Sequence, residues 1–261
     1  MSYRFLFGNI TAATLILGCG VVFATSPVEP GGEYEQALSL TPNLENGRRA
    51  YLMCAVCHRP EGWGVNDGWY PQIAGQLASV TIKQLADIRV RNRDNPTMRP
   101  FASSRLLGGV QEIANVAAYI ETLPMNPANG IGPGYDLAYG EKLYKDECAE
   151  CHGAQGEGDL DDHIPAIRGQ HYRYLVRQFE WIRYGKRRNG DPKMVKQIQR
   201  FTPRDVSVVM DYVSRIRPPA DKVAAPGWLN PHFPKYARQP MPYTPRFPWM
   251  PSMMPSMPPS Y

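Results

Sequence analysis

The spacing of apolar residues along the chain predicts helices and gives no convincing sign of strands. Stripes at three- and four-residue intervals, which put side chains on one helix face, are formed by Gly140, Leu143 and Tyr144, by Leu175, Phe179 and Ile182, and by Leu85 and Ile88. Residues 110–123 and 205–216 are also compatible with helices, and Thr202 before Pro203 supplies an N-cap followed by proline at the first helical position. The sequence therefore predicts an all-α fold.

The chain contains an internal repeat. A pentapeptide, Cys-Ala-Val-Cys-His at 54–58, returns as Cys-Ala-Glu-Cys-His at 148–152, an offset of 94 positions. Matches at the same offset are Pro71 with Pro165, Ile73 with Ile167, Gly75-Gln76 with Gly169-Gln170, and Gln84 with Gln178. Matches at offsets of 93 to 96 are Gly47 with Gly140, Tyr51 with Tyr144, Tyr119 with Tyr212, and Met98 with Met194. Because they extend over most of two equal segments, the sequence predicts duplicated domains.

Segments rich in proline, glycine and other turn-forming residues indicate where the two domains begin and end. After a Pro/Gly leader at 25–35, domain one is predicted at 36–123 and domain two at 135–217, with a linker of turn-forming residues at 124–134 between them. The segment 218–261 holds 13 of the 26 prolines, so extended or disordered backbone is expected there. This tail is also rich in methionine, which suggests either a partner-docking segment or soft ligands for Cu(I).

The repeated pentapeptide indicates covalent haem attachment. Two cysteines three positions apart lie on one side of a helical turn, so both thiols reach one flat partner while the adjacent histidine ligates its iron. A zinc cluster or a thioredoxin-like redox pair would also use two such cysteines, but neither accounts for the duplicated pentapeptide. The predicted haem-binding residues are Cys54, Cys57 and His58 in domain one, and Cys148, Cys151 and His152 in domain two.

The N-terminus predicts export. Residues 1–24 carry one arginine and then an apolar run that ends in small residues, which is typical of a signal peptide cleaved after Ala24. Two alternatives stay open: residues 5–24 could be an uncleaved membrane anchor, or Cys19, the fifth cysteine, could carry a lipid. All three place the rest of the chain in the periplasm, where c-type haems are attached in bacteria.

Charge narrows the possible partners. The chain has 29 basic and 24 acidic residues, a net charge of +5, which suits docking to an acidic surface, and no nucleic-acid motif is visible. Eleven Lys or Arg lie between 168 and 204, against Glu180 and Asp191 alone. This run is either a basic rim near the haem edge or an ordinary solvated helix face.

Methionine is the expected second iron ligand in each domain. Met98 is the single methionine between 59 and 123, where there is no histidine. Domain two offers four candidates. Met210 lies within the predicted terminal helix and is expected in the core, and His171 is expected at the surface, at the start of a helix. His163 lies in an acidic loop, whereas Met194 is the repeat counterpart of Met98.

From the pentapeptide to a terminal helix with an aromatic residue, residues 44–217 resemble class I cytochromes c, and the duplication resembles the two-haem cytochrome c4 family. The resemblance implies Met98 and Met194 as sixth ligands, and Pro71 and Pro165 as residues whose carbonyls bond the haem histidines. It departs from the family at Arg59, where glycine is usual.

The resemblance also implies a function. With two covalently bound haem c groups and both axial positions filled, the chain is expected to carry electrons from a membrane donor complex to a terminal oxidase or reductase. The alternatives are a haem enzyme of the dihaem peroxidase or thiosulfate dehydrogenase type, and a cytochrome subunit of a membrane oxidoreductase complex.

Overall fold

A computed structural model describes residues 32–234, and its regular elements there are all helical. The helices are α1 Glu33–Ser39, α2 Leu44–His58, α3 Ala78–Arg89, α4 Arg99–Ala102, α5 Val110–Thr122, α6 Leu137–Glu147, α7 Ala149–His152, α8 Tyr172–Arg183, α9 Pro192–Ile198 and α10 Pro203–Arg215, followed by a 3₁₀ turn at Ala220–Lys222. The predicted all-α fold is confirmed. The predicted signal segment, 1–24, lies outside the described residues.

Domain one is built around the crossing of α2 and α5. Gly47 allows the two helices to touch, because a Cβ atom there would overlap the backbone oxygen of Asn115. One turn later, the fully buried Tyr51 packs on Tyr119 with ring centroids 5.3 Å apart. The Asn43 side chain caps α2 by accepting a hydrogen bond from the backbone of Asn46.

Domain two repeats this crossing with α6 and α10. A Cβ atom on Gly140 would overlap the backbone oxygen of Val208, and the rings of Tyr144 and Tyr212 lie 5.6 Å apart. The Thr202 side chain caps α10, which begins with proline as predicted. The two crossings use repeat-equivalent residues, which confirms the duplication.

The two domains meet through a pair of equivalent glutamines. Gln76 donates to the backbone oxygen of Ala166 at 2.9 Å and accepts from its N–H at 3.1 Å. Gln170 makes the same pair of bonds with the backbone of Gln72, at 2.7 and 3.1 Å. Since residue 166 is the repeat equivalent of residue 72, each domain contributes the same contact, related by a pseudo-two-fold axis.

The predicted leader and linker are more structured than their composition suggests. Helix α1 begins at Glu33, inside the segment read as a leader, and its Ala37 is buried in the core of domain one. In the linker, the Asn129 side chain donates to the backbone oxygens of Gln170 and Ser214. The linker is thus packed against domain two.

The first part of the predicted tail, residues 218–234, crosses back onto domain one. Its backbone pairs with Met125, and the Trp228 ring packs at a tilt against that of Trp63, with centroids 5.9 Å apart. The buried Asn230 donates to the Pro60 oxygen and the Tyr119 hydroxyl. We call this segment the strap. As expected, the strap forms no α-helix and no strand, but it has turns at 226–227 and 231–232 besides the 3₁₀ turn, and it is packed against domain one. Residues 235–261 lie outside the described part.

Candidate functional site

The last turn of α2 carries the first pentapeptide. His58 is buried, with 5% of its surface exposed, while Cys54 and Cys57 are half-buried. The chain leaves the helix through Arg59, whose φ of 66° turns the backbone sharply, and Tyr51 donates to the Arg59 oxygen at 2.8 Å. The helix therefore ends at a fixed point directly after the histidine.

His58 is oriented by Pro71. The ring Nδ1 lies 2.9 Å from the Pro71 backbone oxygen, and because an oxygen of this kind only accepts, Nδ1 carries the proton and donates. Burial lowers the pKa of His58, so the ring is neutral. A neutral imidazole whose Nδ1–H is held in this way offers the lone pair of Nε2 to a metal.

Domain two has the same arrangement. His152 Nδ1 lies 3.1 Å from the Pro165 oxygen, and burial again lowers the histidine pKa. Gly158 lets the loop before Pro165 pack close to it, because a Cβ atom on residue 158 would overlap the Ile164 backbone oxygen. Its φ of 74° also favours glycine. Both predicted His–Pro pairs are thus in contact, one in each domain.

The thiols do not resemble those of a redox or zinc site. Burial raises the pKa of Cys54 and of Cys148 to about 12 in each case, whereas reactive thiols need a lowered pKa. Cys54 packs against the core of domain one and Cys148 against that of domain two. Four thiols divided in this way do not form one zinc cluster.

The two predicted methionine ligands lie at the start of short helices. Met98 is the N-cap residue of α4, with its N–H bonded to the Asn95 side chain at 3.2 Å. Met194 lies in the first turn of α9, bonded to Asp191 at 3.2 Å, and is half-buried against the core of domain two. The structure gives each methionine a fixed backbone, and the ligation itself stays a prediction.

The other candidate ligands in domain two have different surroundings. Met210 is buried in α10, as expected of a core residue. His171 is not on the surface, as the sequence suggested, but fully buried: Nδ1 accepts from the Gly130 N–H at 3.0 Å, and Nε2 donates to the Trp63 oxygen at 2.7 Å. The prediction failed because His171 faces the other domain, which a single repeat does not reveal. Both ring nitrogens are occupied.

A family profile described as Cytochrome c matches residues 44–124 and 137–217, which together are more than half of the chain. The chain belongs to the cytochrome c family. Two such domains imply c-type haem groups. Each matched segment contains one of the two hydrogen-bonded His–Pro pairs.

Relatives of this cytochrome c chain are similar over most of their own length. It is 29% identical over 198 residues to a thiosulfate dehydrogenase electron acceptor of Stutzerimonas stutzeri (strain A1501), covering 69% of this chain and 90% of the relative. It is 30% identical over 175 residues to cytochrome c4 of Thiocapsa roseopersicina, covering 63% and 88%. The solved structure of reduced recombinant cytochrome c4 from Pseudomonas stutzeri has the same fold, with a TM-score of 0.59, 24% identity, and coverage of 68% of this chain and 100% of that one.

The junction of the two cytochrome c domains holds a pair of arginines that the sequence did not reveal, the buried Arg93 and the half-buried Arg187. Arg93 and Arg187, which are repeat equivalents, pair across an antiparallel bridge. Arg93 donates to the side chains of Gln84, Tyr174 and Gln178, and Arg187 donates to the same two glutamines. Within residues 32–234 neither guanidinium forms an ion pair. Arg93 and Arg187 are 94 positions apart, the same offset as the two pentapeptides, so a comparison of the basic residues of the two repeats would have found this pair.

This arginine pair is electrostatically incomplete, which fits the haem that the family implies. Burial and the neighbouring Arg93 lower the pKa of Arg187 to about 9. Arg93 Nε and Gln178 Nε2 are buried and have no hydrogen-bond partner within residues 32–234. Two neighbouring cations that are largely removed from water and form no ion pair are costly unless an anion joins them. Each haem brings two propionate carboxylates, so the donor set suits the group.

Proposed function

We propose that this dihaem cytochrome c4-like electron carrier works in the periplasm, with each haem iron ligated by one histidine and one methionine. The observation that carries the proposal is the pair of neutral histidines, the buried His58 and the half-buried His152, each oriented by a proline carbonyl with Nε2 left for iron. Periplasmic location is supported by the two haem-attachment motifs, because c-type haems are attached there in bacteria. Separately, within residues 32–234 no helix is long and apolar enough to cross a membrane.

The residues that would hold each haem follow from their positions. Cys54 and Cys57 would form the thioether bonds in domain one, and Cys148 and Cys151 those in domain two. When bound, each haem supplies an iron that takes up and releases a single electron. The protein keeps the histidines neutral and fixed in orientation, so that little rearrangement accompanies the change of charge.

Met98 and Met194 would complete the ligation. Each lies in its own domain and follows an asparagine or aspartate that anchors its backbone N–H. Histidine and methionine together leave no open position for substrate and raise the reduction potential, which favours electron transfer over catalysis. In domain two, His171 is an unsuitable alternative because both of its nitrogens are already bonded.

Arg93 and Arg187 would receive the haem carboxylates. The carboxylates would supply the anions that the two guanidiniums lack, and one would accept a hydrogen bond from Arg93 Nε–H, which has no partner within residues 32–234. Since both arginines contact Gln84 and Gln178, the charge state of one haem would be felt by the other. The two sites are therefore expected to titrate as a coupled pair.

The partners would be redox proteins: a membrane donor complex or a dehydrogenase on one side, and an oxidase or reductase on the other. One relative is named as the electron acceptor of thiosulfate dehydrogenase, which supports a dehydrogenase as donor. A role as a subunit of a membrane complex is the second candidate, and it would be favoured by an uncleaved N-terminus.

The ligation is tested with volume-conserving replacements. Denaturing mass spectrometry should first show two haem adducts on the chain, and one or none would overturn the proposal. In the oxidised protein, Met98→Leu and Met194→Leu should each remove part of the weak far-red charge-transfer absorption and lower one reduction potential. Met210→Leu, a buried methionine outside the proposed site, serves as the control and should change neither. A Met194→Leu spectrum identical to that of the unaltered protein would refute methionine ligation in domain two.

A further inference from the structure

We infer that the junction of the two domains carries a docking surface for the acidic face of a redox protein. Six residues define this surface, which we call the junction patch: Trp69, Arg173, Arg177, Trp181, Lys186 and Arg188. The inference rests on the proposed electron-carrier function and adds to it the place and the chemistry of partner binding.

The patch is continuous across the domain boundary. Arg173, Arg177 and Trp181 follow one another at four-residue spacing on one face of α8 in domain two. Arg177 donates to the backbone oxygen of Trp69 in domain one at 3.1 Å. Arg188 donates to the backbone oxygen of Arg91, again across the boundary. The two domains thus present these side chains as a single surface.

The charge of the patch is not neutralised by the protein. Within residues 32–234, none of its four basic side chains forms an ion pair, whereas Lys142 and Lys145 on α6 each pair with a carboxylate one turn away. Asp67 is the acidic residue close enough to influence Arg177, and its carboxylate is already bonded to the Trp69 N–H at 2.8 Å. An excess of free positive charge attracts an acidic partner and speeds its approach.

The aromatic residues distinguish the patch from an ordinary solvated helix face. Trp69 is 69% exposed, so its indole ring is open to contact by another protein beside Arg177, which donates to the Trp69 backbone oxygen. Trp181 lies between two cations, with Lys186 Nζ at 4.1 Å and the Arg177 guanidinium at 5.5 Å from its ring centre. Tryptophan and arginine are the residues that dominate protein–protein interfaces. A basic patch with held aromatic rings therefore fits a protein partner.

The position of the patch suits electron transfer. Arg188 directly follows Arg187 in the chain and donates to the Arg91 backbone oxygen, so the patch adjoins the arginine pair that we propose holds the haem carboxylates. A partner bound there would approach the shared edge of both domains, and an acidic partner would also partly offset the buried positive charge. Electrons would then enter or leave near the domain junction.

The test compares two charge-reversed variants of the haem-loaded protein. Arg173→Glu/Lys186→Glu changes the patch, and Lys142→Glu/Lys145→Glu makes the same change in net charge on α6. Stopped-flow oxidation by hexacyanoferrate(III), a multiply charged anion, should slow by about tenfold or more in the patch variant at low ionic strength and lose most of its salt dependence. The α6 variant should slow far less.

A second measurement locates the binding directly. Hexacyanochromate(III), a paramagnetic anion of similar charge, should broaden the indole N–H signals of Trp69 and Trp181 in the unaltered protein and leave them sharp in the patch variant. Equal slowing in both variants, or broadening confined to other residues, would refute the docking surface. So would patch-dependent sedimentation with phosphatidylglycerol vesicles in the absence of patch-dependent broadening, because that result would assign the patch to a membrane. Haem content measured on every variant separates these outcomes from failure of the proposed function.

Discussion

Arg59 holds a backbone conformation that disfavours every residue except glycine. It follows His58 with φ 66° and ψ 160°, and its repeat equivalent Gly153 has nearly the same angles, φ 80° and ψ 157°. Domain one therefore places a residue with a Cβ atom where domain two uses glycine. We predict that Arg59→Gly stabilises the protein.

The size of the effect follows from two opposing contributions. A non-glycine residue in this region of φ and ψ costs roughly 1–3 kcal/mol, and Arg59→Gly removes that cost. The added freedom of glycine in the unfolded chain returns roughly 0.4–1 kcal/mol. The Arg59 side chain is exposed and makes no hydrogen bond or ion pair within residues 32–234, while the bond from Tyr51 uses the Arg59 backbone and is kept. The net gain is about 1 kcal/mol.

The measurement is the unfolding free energy of the haem-loaded protein in guanidinium chloride. A gain of about 1 kcal/mol corresponds to a rise in Tm of roughly 2–4 °C for a chain of this size. Arg59→Ala is the matched control, because it removes the same side chain but keeps the Cβ atom, and it should not stabilise. Gly153→Ala should destabilise, by the reverse argument. If Arg59→Gly proved no more stable than Arg59→Ala, backbone strain would not be the cause.

Three further predictions concern the junction, the strap and acid stability. Gln170→Ala should lower the unfolding free energy by roughly 1–3 kcal/mol, since it leaves the buried backbone groups of Gln72 unpaired, and Gln76→Ala should lower it by less, since its bonds to Ala166 are only partly buried; unchanged stability in both variants would refute the paired contact. Asn230→Ala should increase amide hydrogen exchange in the strap while domain two stays protected, and unchanged exchange would show that this bond does not hold the strap. Hydrogen bonds from Thr202 lower the pKa of Asp205, so the stability they give is present above about pH 4, the ordinary value, and is lost as the pH falls through the lower folded value; Asp205→Asn should flatten that loss in a pH series of unfolding curves.

The sequence predicted those features that lie within one repeat. Comparison of the two pentapeptides with the residues around them identified the duplicated domains, and the resemblance to class I cytochromes c implied the contact between His58 and Pro71. Each depends on residues near one another in the chain or on a helix pair that both domains share, so the repeat shows each feature twice. Signals of this kind are read reliably because the same physical constraint acted on two segments of one chain.

Contacts between the repeats were not predictable in the same way. His171 aligns with Leu77 and follows a turn, which suggested a surface position, but the other domain covers it. The strap was correctly expected to avoid long helices because proline removes backbone donors. Proline content says nothing, however, about what an extended segment contacts, and the packing of Trp228 and Asn230 on domain one came from the structure alone.

The polar nature of the junction explains how two small domains can act as one unit. An apolar interface tolerates small shifts, because dispersion and burial depend weakly on the direction of approach. The hydrogen bonds of Gln76 and Gln170 to backbone groups do not tolerate such shifts, because a movement of about an ångström leaves donors and acceptors unpaired, at roughly 1–3 kcal/mol for each one that is buried. Duplication supplies every such contact twice, so a rotation that relieves one strains its equivalent. A carrier with one redox group in each domain benefits directly, because a fixed domain arrangement fixes the distance between the two groups.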